Sequence, residues 1–391
     1  MSSTPALASA LGLIVGALGY LALKAFDGAP SADFQFIWLA GEMWRHGADP
    51  YKPAYGARAA ELFAGKRVPG AWYYPPNWWP ISTLTAALPF DVSLTVWRAA
   101  NAAFVVLACA IPAAALGGLR PNERLCVFSG LLVLAAFASA TAISLALGQT
   151  SLIFLLGLSL LLTALVSGHR GLAALALALL MLKPQIGLPL AMFLVMDRHW
   201  WPSLLGGAML TGLAALPALS LSGLGGFLTA YFENMARYEN HGPAHPANMT
   251  GLRTMLFALS GVTTSVTIHI AFSMALAALL GWRAAGALGR NPRIHYALFA
   301  LLAFFVPLHF YDLTFLVLPL IFLPALPLLY RVLAALCLLV ILRANNVEAL
   351  LGLSLEETSF ATGSWLATIA LCAHAVIGAL VAATRRAPAP N

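Results

Sequence analysis

The sequence predicts an all-α polytopic membrane protein with a large first extracytoplasmic loop that carries interfacial helices. Three observations predict it. Hydrophobic residues make up 61% of the chain and charged residues 9%, with a mean hydropathy of +0.86, whereas soluble domains carry about 25% charged residues. Several runs approach or exceed the ~18 apolar residues of a membrane-crossing helix. These runs do not alternate polar and apolar as barrel strands do, so helices must satisfy the backbone in lipid. The third observation is residues 27–80, DGAPSADFQFIWLAGEMWRHGADPYKPAYGARAAELFAGKRVPGAWYYPPNWWP. This stretch mixes acids, bases and aromatics between two hydrophobic runs and is the element the scaffold holds up.

Taken in order, the first span is Ala6–Leu23; without a basic leader or a clear cleavage site it reads as a retained helix. Within residues 27–80, Phe34, Ile37, Trp38, Gly41 and Trp44 fall on one helical face and Gln35, Glu42, Arg45 and His46 on others. That pattern predicts an amphipathic helix in the membrane interface, capped by Ser31 and ended by Gly47 and Asp49-Pro50. Trp72-Tyr73-Tyr74 and Trp78-Trp79 suit the headgroup level. Spans follow at Leu94–Ala115, Leu125–Leu147 and Ser151–Ser167.

Leu172–Leu182 and Ile186–Met196 are each about 16 Å of helix, too short for a ~30 Å core. They meet at Lys183-Pro184-Gln185, where proline disfavours helix at Lys183. The pair predicts a hairpin that enters and leaves on one side. Trp201–Leu221 and Val262–Leu280 are spans, with a second extracytoplasmic loop at residues 223–260 between them. Ile294–Leu308 and Leu313–Leu326 meet at a further break, His309-Phe310-Tyr311-Asp312, and Leu328–Leu342 and Trp365–Thr384 complete the chain. No repeat or linker divides residues 1–391, which read as one membrane domain.

Charge orients this layout. With the N-terminus inside and the hairpin in place, one set of turns collects Arg120, Arg124, Arg170, Arg198, Arg283, Arg290, Arg293, Arg331, Arg385 and Arg386, against Glu123 and Asp197. Basic residues mark the cytoplasmic side of short loops. Both large loops are then extracytoplasmic, in a multi-pass protein of the inner (cytoplasmic) membrane. The net charge of +7 is dispersed, with no basic block, which excludes a nucleic-acid partner. Cys109, Cys126, Cys337 and Cys372 lie in apolar runs without metal spacing and read as small buried hydrophobes. His241 and His245 have a metal-like spacing, but Pro243 and Pro246 argue against one helix presenting both. No metal and no cofactor is expected. Asn248-Met249-Thr250 matches a glycosylation sequon.

Several polar residues have both a chemical and a structural reading. Asp33 opens the first loop helix: a general base facing a membrane-level cavity, or an acid favoured by the helix dipole. Lys183 lies at the apex of an apolar hairpin, where ionisable groups are expensive and usually functional; it suits a lipid phosphate, or it snorkels. Gln149 sits at an outer turn, ready for a sugar hydroxyl or simply ending a helix. His309 and Asp312 are placed to meet phosphate and sugar, or to pair with each other. Arg98 begins a span as an interfacial anchor or a ligand contact, and Asp49 in GADPY suits a turn.

Asp33, the Gly47-Ala48-Asp49-Pro50-Tyr51 turn, Tyr74-Pro75-Pro76, Trp97 with Asn101, Gly148-Gln149 and Lys183-Pro184-Gln185 occur in this order. Together they resemble the glycosyltransferase family 87 proteins, the polyprenol-phosphate-mannose-dependent mannosyltransferases and their relatives. The resemblance runs from about Asp33 to Asp312. It implies a GT-C fold and the transfer of a sugar, mannose or another hexose, from a polyprenyl-phosphate donor to an extracytoplasmic glycan or glycolipid acceptor at the bilayer. It places the catalytic acid at Asp33 and the donor phosphate and sugar among Lys183, His309, Gln149, Asp312, Arg98 and Tyr74. The chain lacks the Asp-x-Asp pair of some GT-C relatives, which leaves Asp33 without a close acidic partner in sequence. The competing reading is a lipid-linked sugar transporter or flippase, since broken helices meeting at polar residues also serve transport. A non-catalytic assembly subunit is the third.

Overall fold

A computed structural model describes residues 4–27, 32–63, 70–239, 245–286, 288–350 and 364–383. Seventeen α-helices and no strand occur among the described residues, the architecture of an all-α polytopic membrane protein. After α1 (Thr4–Ala25), the first loop folds into α2 (Ala32–Arg45), α3 (Ala54–Leu62) and α4 (Trp79–Thr85). α5 (Phe90–Ala115) is a long apolar helix; α6 (Pro121–Ala136) and α7 (Ser139–Leu147) follow, bent by 62°. The expected single span Leu125–Leu147 is therefore broken at Phe137-Ala138, and Arg343 donates to the freed Phe137 carbonyl.

α8 (Ser151–Ser167) is the axis, buried on nearly every face, and packs on α5 and on α9 (Arg170–Leu180). α9 and α10 (Pro184–Val195) form the short pair flanking Lys183. Arg170, opening α9, donates to His199 Nδ1 just beyond α10 at 2.9 Å, so both bases of the pair lie together. At the apex, α10 comes so close to α9 that a Cβ on Gly187 would sit 2.8 Å from the Leu180 carbonyl oxygen. The pair is a hairpin, as its length requires.

α11 (Trp201–Glu239) runs 39 residues, about 58 Å if straight, nearly twice the ~30 Å hydrocarbon core. Gly223 breaks its course at φ 67, ψ 162, backbone that side chains disfavour. Beyond Gly223 the helix rises against the first loop, and Asn234 Nδ2 donates to the carbonyls of Tyr51 (3.1 Å) and Trp72 (3.2 Å). Residues 223–260 are thus largely helical rather than an open loop, closed by α12 (Leu252–Ser260). α13 (Val266–Arg283) packs on α10, and α14 (Pro292–Phe305) leads to the second break.

After that break, Phe310–Ala325 forms a 16-residue 3-10 helix. Such runs are normally short. At about 2.0 Å per residue this one extends about 32 Å, enough for a ~30 Å core that the same residues would not cross as an α-helix. α15 (Leu328–Leu342), α16 (Ala344–Leu350) and α17 (Ser364–Ala383) complete the bundle.

Two expectations for the first loop change. α2 is buried on more than its apolar face: Phe34, Gln35, Ile37, Leu39, Ala40, Met43 and Trp44 are all buried, and a Cβ on Gly41 would collide with the Ser82 carbonyl of α4. Trp72 and Trp78 are likewise fully buried in the cap and do not form a lipid belt. Amphipathic and aromatic segments satisfy either surroundings, and here protein packing supplies them. Ser31 lies outside the described residues. Cys109 is buried, but Cys126 is exposed.

Candidate active site

One group of polar residues forms beneath the first-loop cap, built from two poles. The first is Asp33, half-buried in the opening turn of α2. Gln149 Nε2 donates to its carboxylate, while Gln149 Oε1 accepts from the Thr150 amide at 3.2 Å. The α7–α8 turn makes this meeting possible. Gly148 has φ 66, and a Cβ there would stand 2.8 Å from Phe34 Cβ, so only glycine lets the turn lie against the residue next to Asp33. α5 clamps the same turn: Trp97 Nε1 donates to the Gly148 carbonyl at 2.9 Å and Asn101 Nδ2 to the Gln149 carbonyl at 3.3 Å.

The second pole is Lys183 with Asp312. Lys183 Nζ lies 2.5 Å from Asp312 Oδ1, with the side chains 10% and 1% exposed. Ser151, the first residue of α8, donates to the same oxygen at 2.7 Å. Asp312 Oδ2 accepts from the His309 amide at 3.1 Å and so caps its own helix. Lys183 Nζ also stands 5.5 Å from the Phe154 ring centroid and 5.9 Å from that of Tyr311, within cation–π range. Trp78 of the cap donates to the Leu182 carbonyl at 2.9 Å, fixing the hairpin apex against the first loop. The two poles are joined by three consecutive residues, Gln149 to Ser151.

Tyrosines line the partly open side. Tyr73, Tyr74, Tyr238 and Tyr311 are each half-buried. Burial first, and then the nearby Asp33 carboxylate, hold the Tyr74 phenol above its ordinary value of 10.0, with Asp312 adding to the effect. Tyr74 is therefore a neutral hydroxyl between two acids. Tyr238 pairs with His309 Nε2 at 2.8 Å, and the His309 ring stacks on Tyr311 with centroids 5.0 Å apart.

Four helices have their first turns among these residues: α2 holds Asp33 in its first turn, α8 begins at Ser151, Lys183 is the N-cap of α10, and Asp312 lies in the first turn of the 3-10 helix. Helix N-termini carry partial positive charge and unpaired amides. The arrangement is a donor-rich floor, its lysine paired with Asp312, with the Asp33 carboxylate at its edge.

The structure thus brings Asp33, Tyr74, Gln149, Lys183, His309 and Asp312 together. Three residues stand differently from expectation. Gln149 has both ends of its side chain engaged within the protein, so it holds Asp33. Lys183 is not a lone cation but half of an ion pair. His309 gives only its backbone amide to Asp312; its imidazole faces Tyr238 and the Asn248 carbonyl. Arg98 is buried near the N-terminal end of α5.

Asp49 accepts from the Tyr51 amide at 2.9 Å, a turn contact. Arg253 is 1% exposed and donates to the Thr264 carbonyl at 2.8 Å. Thr250 of the sequon is buried against Leu308. His241 lies outside the described residues, and no group of three metal-ligating side chains occurs among those described. Ser151, Tyr238 and Tyr311 carried no signal in sequence, because a lone serine or tyrosine at a helix end has no spacing to betray it.

Residues 72–319 match the model of a family described as Glycosyltransferase family 87. The matched stretch contains Tyr74, Trp97, Asn101, Gln149, Lys183, His309 and Asp312, and it begins beyond Asp33. No curated protein and no solved structure matches the chain.

Proposed function

Because that match covers more than half of it, the chain belongs to glycosyltransferase family 87 and is a membrane glycosyltransferase, and from this premise we propose the reaction its site performs. A hexose, with mannose as first candidate, moves from a polyprenyl-phosphate carrier to a glycan or glycolipid acceptor on the extracytoplasmic face of the cytoplasmic membrane. The observation that carries this reading is the meeting of three helix N-termini, those of α8, α10 and the 3-10 helix, at the Lys183–Asp312 pair. Such a floor suits a phosphate that gains charge as it leaves.

In the proposed step the acceptor hydroxyl passes its proton to Asp33 while its oxygen attacks the anomeric carbon. The bond from that carbon to the phosphate oxygen breaks, and its electron pair leaves with the polyprenyl phosphate. One displacement inverts the anomeric configuration. A lipid phosphate is already a competent leaving group, so the floor's task is charge stabilisation rather than protonation. Lys183 keeps N–H donors beyond the one given to Asp312, and the ion pair holds it aimed. Gln149 holds Asp33 at the edge, and Tyr74, neutral and half-buried, is placed for sugar hydroxyls. No resident metal or cofactor has a role in this step.

The test is direct. Purified protein with labelled polyprenyl-phosphate mannose should release polyprenyl phosphate only when an acceptor is added. The breaks at Lys183 and at His309 also favour a transporter as the second reading; in that case the lipid-linked sugar crosses vesicle membranes uncleaved.

A further inference from the structure

His309 Nδ1 lies 3.2 Å from the Asn248 carbonyl, and a carbonyl only accepts, so Nδ1 carries the ring proton. Nε2 is then a bare acceptor, and the group facing it at 2.8 Å is the Tyr238 hydroxyl, which must donate. The Tyr238 oxygen is left with lone pairs alone to offer. His309 is 9% exposed and stacked on Tyr311, whereas Tyr238 is half-exposed in front of it. The Tyr238 ring is held by Tyr73, with centroids 5.0 Å apart.

On the reading of a sugar-phosphate donor given above, we propose that Tyr238 accepts a hydrogen bond from one hydroxyl of the transferred sugar and so sets sugar specificity, with His309 as its positioning residue. A phosphate oxygen is the wrong partner for this atom, because two acceptors with no proton between them repel. A hydroxyl is the right one, because it brings its own proton. Tyr238 bonds the ring of His309, whose backbone amide binds Asp312, so it stands toward the pole proposed for the donor, which assigns the hydroxyl to the transferred sugar and not to the acceptor. A site built to hydrogen-bond a hydroxyl rejects the analogue that lacks it more strongly than shape alone does.

The experiment uses Tyr238→Phe, which removes only the oxygen and keeps the ring packing. A prenyl-phosphate mannose and its single-deoxy counterparts are compared in wild type and variant, by kcat/KM and, independently of turnover, by Kd from tryptophan fluorescence. One neutral hydrogen bond predicts a loss of roughly 3- to 10-fold for the intact sugar, with no loss for one particular deoxy sugar. His309→Ala should erase the same discrimination, and the double variant should lose no more than Tyr238→Phe alone. Equal losses on every deoxy donor overturn the inference, as does a loss that vanishes only with a deoxy acceptor. Wild-type discrimination in Kd without any turnover would leave this inference standing and sink the transferase reading instead.

Discussion

Lys183 and Asp312, 129 residues apart in the chain, form an ion pair of 2.5 Å that is almost wholly buried. Removing one partner of such a pair strands a buried charge, at a cost of about 3–5 kcal/mol. Lys183→Ala should therefore lower thermal stability in detergent clearly as well as abolish turnover. Lys183→Gln combined with Asp312→Asn should recover much of the stability, because a neutral hydrogen-bonded pair leaves no stranded charge. Turnover should stay absent in that double variant; its return would make the pair purely structural. Lys183→Arg should keep some donor use, since charge survives while shape changes.

Asp33→Asn keeps size and the place in the first helical turn, yet cannot take a proton from the acceptor. General base catalysis is worth about 10²–10⁴ in rate, and turnover should fall by about that factor while donor binding persists. An acid that serves only the helix dipole predicts a stability loss of about 0.3–1 kcal/mol and intact chemistry. Turnover and donor binding measured on one preparation separate the two, and near-normal turnover would remove Asp33 from the mechanism.

Gln149 positions Asp33 and does not touch the phosphate in the proposed step. Gln149→Ala should reduce kcat by about tenfold, the worth of a 1.4 kcal/mol contribution, as for a hydrogen bond to a charged group, with donor affinity nearly unchanged. Gln149→Glu should be worse, because two carboxylates then share one place and disfavour each other's charged form. A donor Kd that weakens in parallel with kcat would return Gln149 to the ligand.

Gly148→Ala tests the turn that makes the meeting possible. The substitution forces a side chain into left-handed backbone, about 1–2 kcal/mol, and against Phe34, about 1–3 kcal/mol more. Turnover should fall together with stability. A variant as stable and active as wild type would show that Phe34 and the turn are not locked together.

The orientation in the membrane follows from the hairpin, whose bases meet at Arg170 and His199. In a cysteine-free background, a cysteine at Ala54 should react with an impermeant thiol reagent from outside the cell. One at Ala285, near Asp197 through the bond from Gly286 to its carboxylate, should not. Outside labelling at Ala285 would reverse the proposed sidedness of this end.

Composition and hydropathy alone determined that this chain is a helical membrane protein. Run length located the break at Lys183, since segments of about 16 Å must turn back or join another. Proline chemistry placed it at that residue. What only the tertiary structure decided is who meets whom. Asp33 with Gln149 and Lys183 with Asp312 are separated by more than a hundred residues, and an apolar span has no polar face from which to read its neighbours. The aromatic cluster shows the same limit. Tryptophan and tyrosine satisfy a lipid interface and a protein interior equally well, and only packing placed Trp72 and Trp78 inside the cap. Tyr238 had no legible role for the same reason: its chemistry depends on the proton position of His309, which is set by a carbonyl 61 residues away.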